Sequence, residues 1–181
     1  DTSAQPAAAA QPADTAPEMS DIVVTGRPAG SGINKLEAGY SITTMSAEDI
    51  KLQAPKSAGD VLKSIPGVWV ESSGGVGTSN VFVRGIPSTG DAPFVTMQFN
   101  GIPVYGASSL SFMDQTGMTR IDDTVMGIEG VNGGPASLFS DGQPGLTTNL
   151  RLREGGEEMH GSLTASVTDY SAWRVDGYLS G

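Results

Sequence analysis

The sequence predicts an α+β domain, a small mixed sheet with short helices and long loops, followed by two strands that alternate as the first strands of an antiparallel transmembrane β-barrel would. Three observations carry this. Short apolar words of strand type recur from residue 40 to residue 153, and the helix signals are confined to the first part of that stretch. Gly and Pro, 25 and 11 of 181 residues, break the chain into turns. From Met159 onward, polar and apolar residues alternate strictly in two stretches.

Residues 1–20 are rich in Ala, Pro, Gln, Asp and Thr and carry three acids and no base. Such a composition buries too little apolar surface to offset ordering entropy, so a disordered tether is expected. Asp21-Ile22-Val23-Val24-Thr25-Gly26 follows, a β-branched word too short to fold alone. It lies between two flexible stretches. Two readings fit it equally, a strand added to another protein's sheet edge or an edge strand of the following domain.

The compact part is expected from about Leu36. Residues 40–45 read as a strand. Ser46 caps a helix with Asp49 three residues on, close to a capping box, and Pro55 ends it. Ser57 caps a second helix, with Val61, Leu62 and Ile65 as its apolar stripe and Pro66-Gly67 as its stop. Val68-Trp69-Val70-Glu71 and Val81-Phe82-Val83-Arg84 read as strands around a glycine loop, residues 72–80. Residues 94–99 form a further strand. Asn100-Gly101 is a two-residue hairpin signal, with Ile102-Pro103-Val104-Tyr105 returning. A long polar loop is expected over 106–117. A mixed apolar segment follows over 122–131, then a glycine-rich stretch with a possible helical turn at 136–139, then an alternating strand over 147–153.

In the last segment Met159, Gly161, Leu163, Ala165 and Val167 share one face, and His160, Ser162, Thr164, Ser166 and Thr168 the other. After a turn at 169–171, Trp173, Val175, Gly177 and Leu179 alternate with Arg174, Asp176, Tyr178 and Ser180. Two strands of about ten residues with one apolar face are the pattern of a transmembrane β-barrel. The same alternation suits a soluble hairpin with one wet face.

Composition removes several classes of function. The net charge is −10 and the ten bases are scattered singly, so no nucleic-acid partner is expected. Cys is absent and His160 is the single His, so no metal site and no cofactor are expected. No helix-spanning apolar run exists. The chain has no G-x-S-x-G, no phosphate loop ending in Lys-Ser/Thr and no H-E-x-x-H, and the adjacent Asp122 and Asp123 point apart in a strand. An enzyme is not expected.

Several of these words, in this order, resemble the N-terminal part of a TonB-dependent outer-membrane receptor. Residues 21–26 look like a TonB box. Ser46-Ala47-Glu48-Asp49-Ile50, Asp60-Val61-Leu62 and Ile65-Pro66-Gly67-Val68 resemble the opening of the plug domain. Val83-Arg84-Gly85-Ile86 resembles the plug's arginine-glycine motif, and Asn100-Gly101-Ile102-Pro103-Val104 its hairpin with Asn for Asp. Ile128-Glu129-Gly130-Val131 through Gly134-Pro135-Ala136-Ser137-Leu138-Phe139 resembles a further plug stretch. Two departures stand out. Gly133 replaces the usual Arg before Gly-Pro, and Pro144-Gly145-Leu146-Thr147 replaces the familiar Gly-Gly-Val-Ile.

The resemblance implies a periplasmic tail over 1–20, a TonB box and linker over 21–35, a plug over 36–155 and the first two barrel strands over 156–181. It implies transport of a scarce substrate (ferric siderophore, cobalamin or oligosaccharide) across the outer membrane. Asp21, Ile22, Val23, Val24, Thr25 and Gly26 would pair with the periplasmic domain of TonB. Arg84 and Gly85 would meet the protein's own barrel, itself in outer-membrane lipid. Ser73, Thr78, Tyr105, Phe112 and Gln115, in or beside the two loops expected to face outward, would contact the small-molecule or glycan substrate. From the residues alone, two alternatives stay open: Arg84 solvated at a strand end, and a soluble secreted β-rich binding module with no transport role.

Overall fold

The computed structural model describes residues 23–24, 33–34, 40–72, 77–86, 94–104, 115–133 and 145–181. The first elements are two short strands, β1 (Val23–Val24) and β2 (Ile33–Asn34). Next come β3 (Ile42–Ser46), α1 (Ala47–Gln53), α2 (Ala58–Leu62), β4 (Val68–Ser72) and β5 (Ser79–Val83). They are followed by β6 (Val95–Phe99), β7 (Ile102–Val104), α3 (Gln115–Met118), β8 (Val125–Asn132) and β9 (Leu146–Leu152). The chain closes with β10 (His160–Val167), a 3₁₀ turn (Asp169–Ser171) and β11 (Trp173–Ser180).

The local signals act as read. Ser46 and Asp49 form a reciprocal capping box, and Ala54 in the left-handed region closes α1 just before Pro55. The Ser57 side chain accepts from the Asp60 N–H at the start of α2. Asn100 and Gly101 both have positive φ, 48° and 81°, the requirement of a two-residue type I′ hairpin.

Five strands make the central sheet in the order β3-β8-β9-β6-β7. It is mixed, because β6 pairs with β9 in parallel and the other neighbours are antiparallel. One face carries Met45, Ile128, Leu150 and Met97. With Ile50, Val61, Leu62 and Ile65 of the α1–α2 region and Val70, Val81 and Val83 of the β4–β5 pair, they form one buried core. Full burial of such side chains stabilises by about 1.5–3 kcal/mol each. The opposite face is polar: Thr44, Glu129, Asn149 and Gln98 lie in one register row across four strands, the last three buried. Glu129 is neutralised there by Arg151 at 3.4 Å.

Three elements differ from expectation. Residues 33–34, expected within a flexible linker, form the short strand β2. The loop expected over 106–117 ends in the short helix α3, which begins at Gln115. The strand expected to include Arg84 ends at Val83 instead, and Arg84 turns out of it with φ 51°. The stretch at 136–139 and the chain from Leu36 to residue 39 lie outside the described residues.

Candidate functional site

β10 and β11 pair antiparallel over eight residues, from His160↔Ser180 to Val167↔Trp173. Their polar face is turned to the preceding domain, and their apolar face is left outside. Leu163 is 80% exposed and Trp173 76%, and Met159, Val167 and Leu179 are similarly bare. A soluble hairpin with one wet face would be seated the other way round.

The seam between hairpin and domain is built around Asp123, which is 9% exposed. Its Oδ2 accepts hydrogen bonds from Ser162 Oγ at 2.9 Å and Thr164 Oγ1 at 2.8 Å. Its Oδ1 lies 3.9 Å from Lys51 Nζ on α1. Its backbone carbonyl accepts from Arg153 Nε at 2.9 Å, and the Arg153 guanidinium stacks 4.4 Å above the Tyr178 ring. Arg174 donates to the Ile121 carbonyl and pairs with Asp176 at 2.6 Å. Burial pushes the Asp123 pKa up, but the two hydroxyl donors and the charges of Lys51 and Arg153 outweigh it, so the carboxyl titrates below its ordinary value. Asp122 faces away and caps its own turn, accepting from the Thr124 N–H at 2.9 Å. The adjacent carboxylates thus serve different partners, but from a turn ahead of β8 and not from the strand that the sequence reading assumed. What the sequence missed is the partner of Asp123, whose only trace was the hydroxyl pair Ser162 and Thr164 two residues apart on one strand face.

Arg84 and Gly85 lie elsewhere. They form an exposed turn in which both residues have positive φ, and the Arg84 N–H donates to the Gly67 carbonyl at 2.8 Å. The guanidinium lies over Gly133. A Cβ on that glycine would stand 2.9 Å from an Arg84 nitrogen, so Gly133 makes room for it. Among the described residues no carboxylate pairs with Arg84. Arg84 thus leaves the strand in an exposed turn.

Of the residues expected to contact substrate, Ser73, Tyr105 and Phe112 lie outside the described residues. The backbone positions of the other two, Thr78 and Gln115, each lie next to residues that touch. The Ser79 N–H, next to Thr78, donates to Thr116 Oγ1 at 2.9 Å, one residue after Gln115. The Thr78 methyl packs so closely on Gly117 that a Cβ there would stand 2.6 Å from it. The two loops are thus tied at their bases.

Of the expected TonB-binding residues, Asp21, Ile22, Thr25 and Gly26 lie outside the described residues. Val23 and Val24 form β1, which among the described residues pairs with β2 in a two-stranded sheet.

The family model described as TonB-dependent Receptor Plug Domain matches residues 34–147, more than half of the chain. No curated protein matches the sequence. Solved structures share the fold at low identity. The FpvAI receptor in its complex with pyocin S2 superposes with a TM-score of 0.66 at 19% identity, over 88% of this chain and 19% of that one. The alcaligin outer-membrane receptor FauA from Bordetella pertussis gives 0.64 at 20%, over 87% and 26%. The ferric yersiniabactin uptake receptor FyuA from Yersinia pestis gives 0.57 at 22%, over 75% and 20%. This chain thus spans between a fifth and about a quarter of the length of those receptors. With its mixed sheet, capped helices and strand hairpin of matching fold, the chain belongs to the TonB-dependent receptor family, of which it comprises the plug domain and the start of the barrel.

Proposed function

We propose that this chain is the plug portion of an active transporter in the outer membrane, with its N-terminus in the periplasm, that takes up a ferric siderophore. The observation that carries the reading is the seating of the hairpin. Its polar face is on the plug and its apolar face is bare. A barrel strand in lipid needs that orientation, with the plug on the lumen side. A soluble binding module would need the reverse. The siderophore class rests on two solved relatives whose names state ferric yersiniabactin and alcaligin. Cobalamin and oligosaccharides are the competing classes.

In this reading residues 1–20 are a periplasmic tail, 21–35 the box and linker, 36–155 the plug, and 156–181 the first two barrel strands. Residues 21–26 add as a strand to the periplasmic domain of TonB, using main-chain bonds that need little side-chain specificity. The linker stretch 27–34 has a reach of about 25 Å when fully extended under load, at roughly 3.3 Å per residue. Arg84 and Gly85 face the barrel wall, where a carboxylate would neutralise the guanidinium. Ser73, Thr78, Tyr105, Phe112 and Gln115 contact the substrate, a role supported by the tie between the bases of their loops at Ser79 and Thr116 and at Thr78 and Gly117. The chain binds and gates; no residue is assigned to catalysis.

The test is uptake of radioiron as a ferric siderophore by cells that express the full-length receptor, with and without TonB. Accumulation that requires TonB is the expected result. Equal accumulation without TonB refutes energised transport. Failure with every ferric siderophore but TonB-dependent uptake of cobalamin or an oligosaccharide moves the substrate class and leaves the mechanism.

A further inference from the structure

The chain carries two Asn-Gly steps, Asn100-Gly101 and Asn132-Gly133. This dipeptide is chemically reactive. The glycine nitrogen attacks the asparagine Cγ, a C–N bond forms, and Nδ2 leaves as ammonia with the proton that the glycine N–H gives up. The cyclic imide then takes up one water and opens to Asp or to isoaspartate. Glycine favours the attack because no side chain shields its nitrogen or restrains its backbone. The two steps are held differently. Asn132 is buried, its Nδ2 donates to the Pro66 carbonyl at 3.1 Å, and the Gly133 N–H donates to the Gly145 carbonyl at 2.8 Å. Asn100 is exposed, in the turn between β6 and β7, with φ 48°. There the Gly101 N–H, the group that must lose its proton, donates to Asn149 Oδ1 at 2.8 Å. The Leu152 N–H donates to Asn100 Oδ1 at 2.9 Å, and the Asn100 N–H to the Leu150 carbonyl at 3.0 Å. All three partners belong to β9.

We propose that Asn100-Gly101 is a deamidation site that the fold keeps latent, with Asn149 as its guard. Asn149 is buried and sits in the polar row between Glu129 and Gln98, so its amide is fixed and holds the Gly101 nitrogen with it. The Leu152 N–H fixes the direction of the Asn100 side chain and draws electron density from its carbonyl. Attack is thus prevented by the held nitrogen and the fixed side chain, while Cγ stays activated. Reaction therefore requires β9 to part from the β6–β7 hairpin, and any excursion of the domain that parts them is written permanently into the chain. The Asp product keeps an acceptor for the Leu152 N–H. The isoaspartate product adds a methylene to the main chain of a two-residue turn, whose geometry takes no extra atom, so the hairpin does not close again. Asn132-Gly133 is locked within the β8–β9 pairing by Asn132↔Leu146 and reports loosening of the sheet as a whole.

The experiment follows both sites by mass spectrometry at neutral pH in three samples: the full-length receptor in detergent micelles, the same receptor unfolded in guanidinium chloride, and the folded variant Asn149→Leu. Trypsin separates the sites, since Asn100 falls in the peptide 85–120 and Asn132 in 121–151. The readouts are the mass gain of acid over amide and labelling by an isoaspartyl methyltransferase. Both sites react in the unfolded receptor and are slower in the folded one. Leu has the branched outline of Asn without the acceptor, so Asn149→Leu speeds the reaction at Asn100 by about two- to tenfold, the weight of one neutral hydrogen bond, and leaves Asn132 unchanged. Equal rates at Asn100 in the folded and unfolded receptor overturn the latency. A rate at Asn100 that Asn149→Leu does not change overturns the guard. Acceleration of both sites together also overturns it, because the variant would then have loosened the sheet and not the turn. Absence of reaction at Asn100 in the unfolded receptor overturns the site itself.

Discussion

Replacing Asp123 with Ala should release the hairpin from the plug without unfolding the plug. Asp123 accepts two hydroxyl hydrogen bonds, at 2.9 and 2.8 Å, from Ser162 and Thr164. A hydrogen bond to a charged group contributes about 1.5–3 kcal/mol. Thr164 is exposed and Ser162 half-buried, and both hydroxyls recover water when the carboxylate is gone, which puts the pair at the low end of the range. Lys51 is 54% exposed and 3.9 Å away, so its contribution is about 0–1 kcal/mol. The net loss is about 2 kcal/mol, equivalent to roughly a 30-fold rise in the population of undocked hairpin. Amide hydrogen exchange on the chain in detergent micelles reads this directly. Exchange in β10 should accelerate by that order while exchange in β9 and β8 stays within about twofold. Acid should mimic the variant. The folded-state pKa of Asp123 is depressed, so its contribution is fully present above the unfolded carboxylate value of about 3.9 and is lost as pH falls through the lower folded value. In the Ala variant that acid-dependent loss of β10 protection disappears. If Asp123→Ala changes β10 exchange less than twofold at neutral pH, the seam is not held by this carboxylate and the reasoning fails.

Two glycines should respond differently to Ala. At Gly59 the new Cβ would stand 2.4 Å from Ser79 Oγ and 2.9 Å from Ser79 Cβ, so urea denaturation should show a loss of about 1–3 kcal/mol from overpacking. Ser79→Gly in the same chain should recover part of it, and a Gly59→Ala loss below about 0.5 kcal/mol would show that α2 shifts freely. At Gly101 nothing lies within 4 Å but φ is 81°, so Ala there should cost only the backbone penalty, about 1 kcal/mol. Thr116→Val removes the acceptor of the buried Ser79 N–H and should cost about 1–3 kcal/mol in thermal or urea unfolding. Thr116→Ser keeps the hydroxyl and should retain most of the stability, and an unchanged stability of Thr116→Val would show that this hydrogen bond contributes nothing.

What the sequence disclosed was local or periodic. The Ser46 and Ser57 caps act within three residues of themselves, and the Asn100-Gly101 turn is fixed by its own φ preferences. The alternation of the last hairpin needs only a period of two. What it withheld was non-local or small. Nothing in Ile33-Asn34 announces a strand, because a two-residue pair is chosen by what it meets. α3 has four residues and a glycine within it, too short for a helical period to register. Arg84 was placed in a strand because apolar residues precede it; the turn that expels it is made with Gly67, seventeen positions away in the chain. Alternation gave the hairpin two faces but not their directions, since only the seam at Asp123 says which face is inside.

The strand order of the central sheet has a consequence for biogenesis. β9 is its middle strand and joins β3-β8 on one side to β6-β7 on the other, yet it is the last of the five to emerge during synthesis. Val95 of β6 waits for Leu146 of β9, and Ile128 of β8 for Leu150. Until then the nascent chain holds one strand pair and one tight hairpin with no bridge between them, and the polar row cannot be completed because Asn149 is its link between Glu129 and Gln98. The closing loop from β6 is long, but its entropic cost grows only with the logarithm of its length. Assembly of this domain is therefore concentrated in one late step, next to the first residues destined for the barrel.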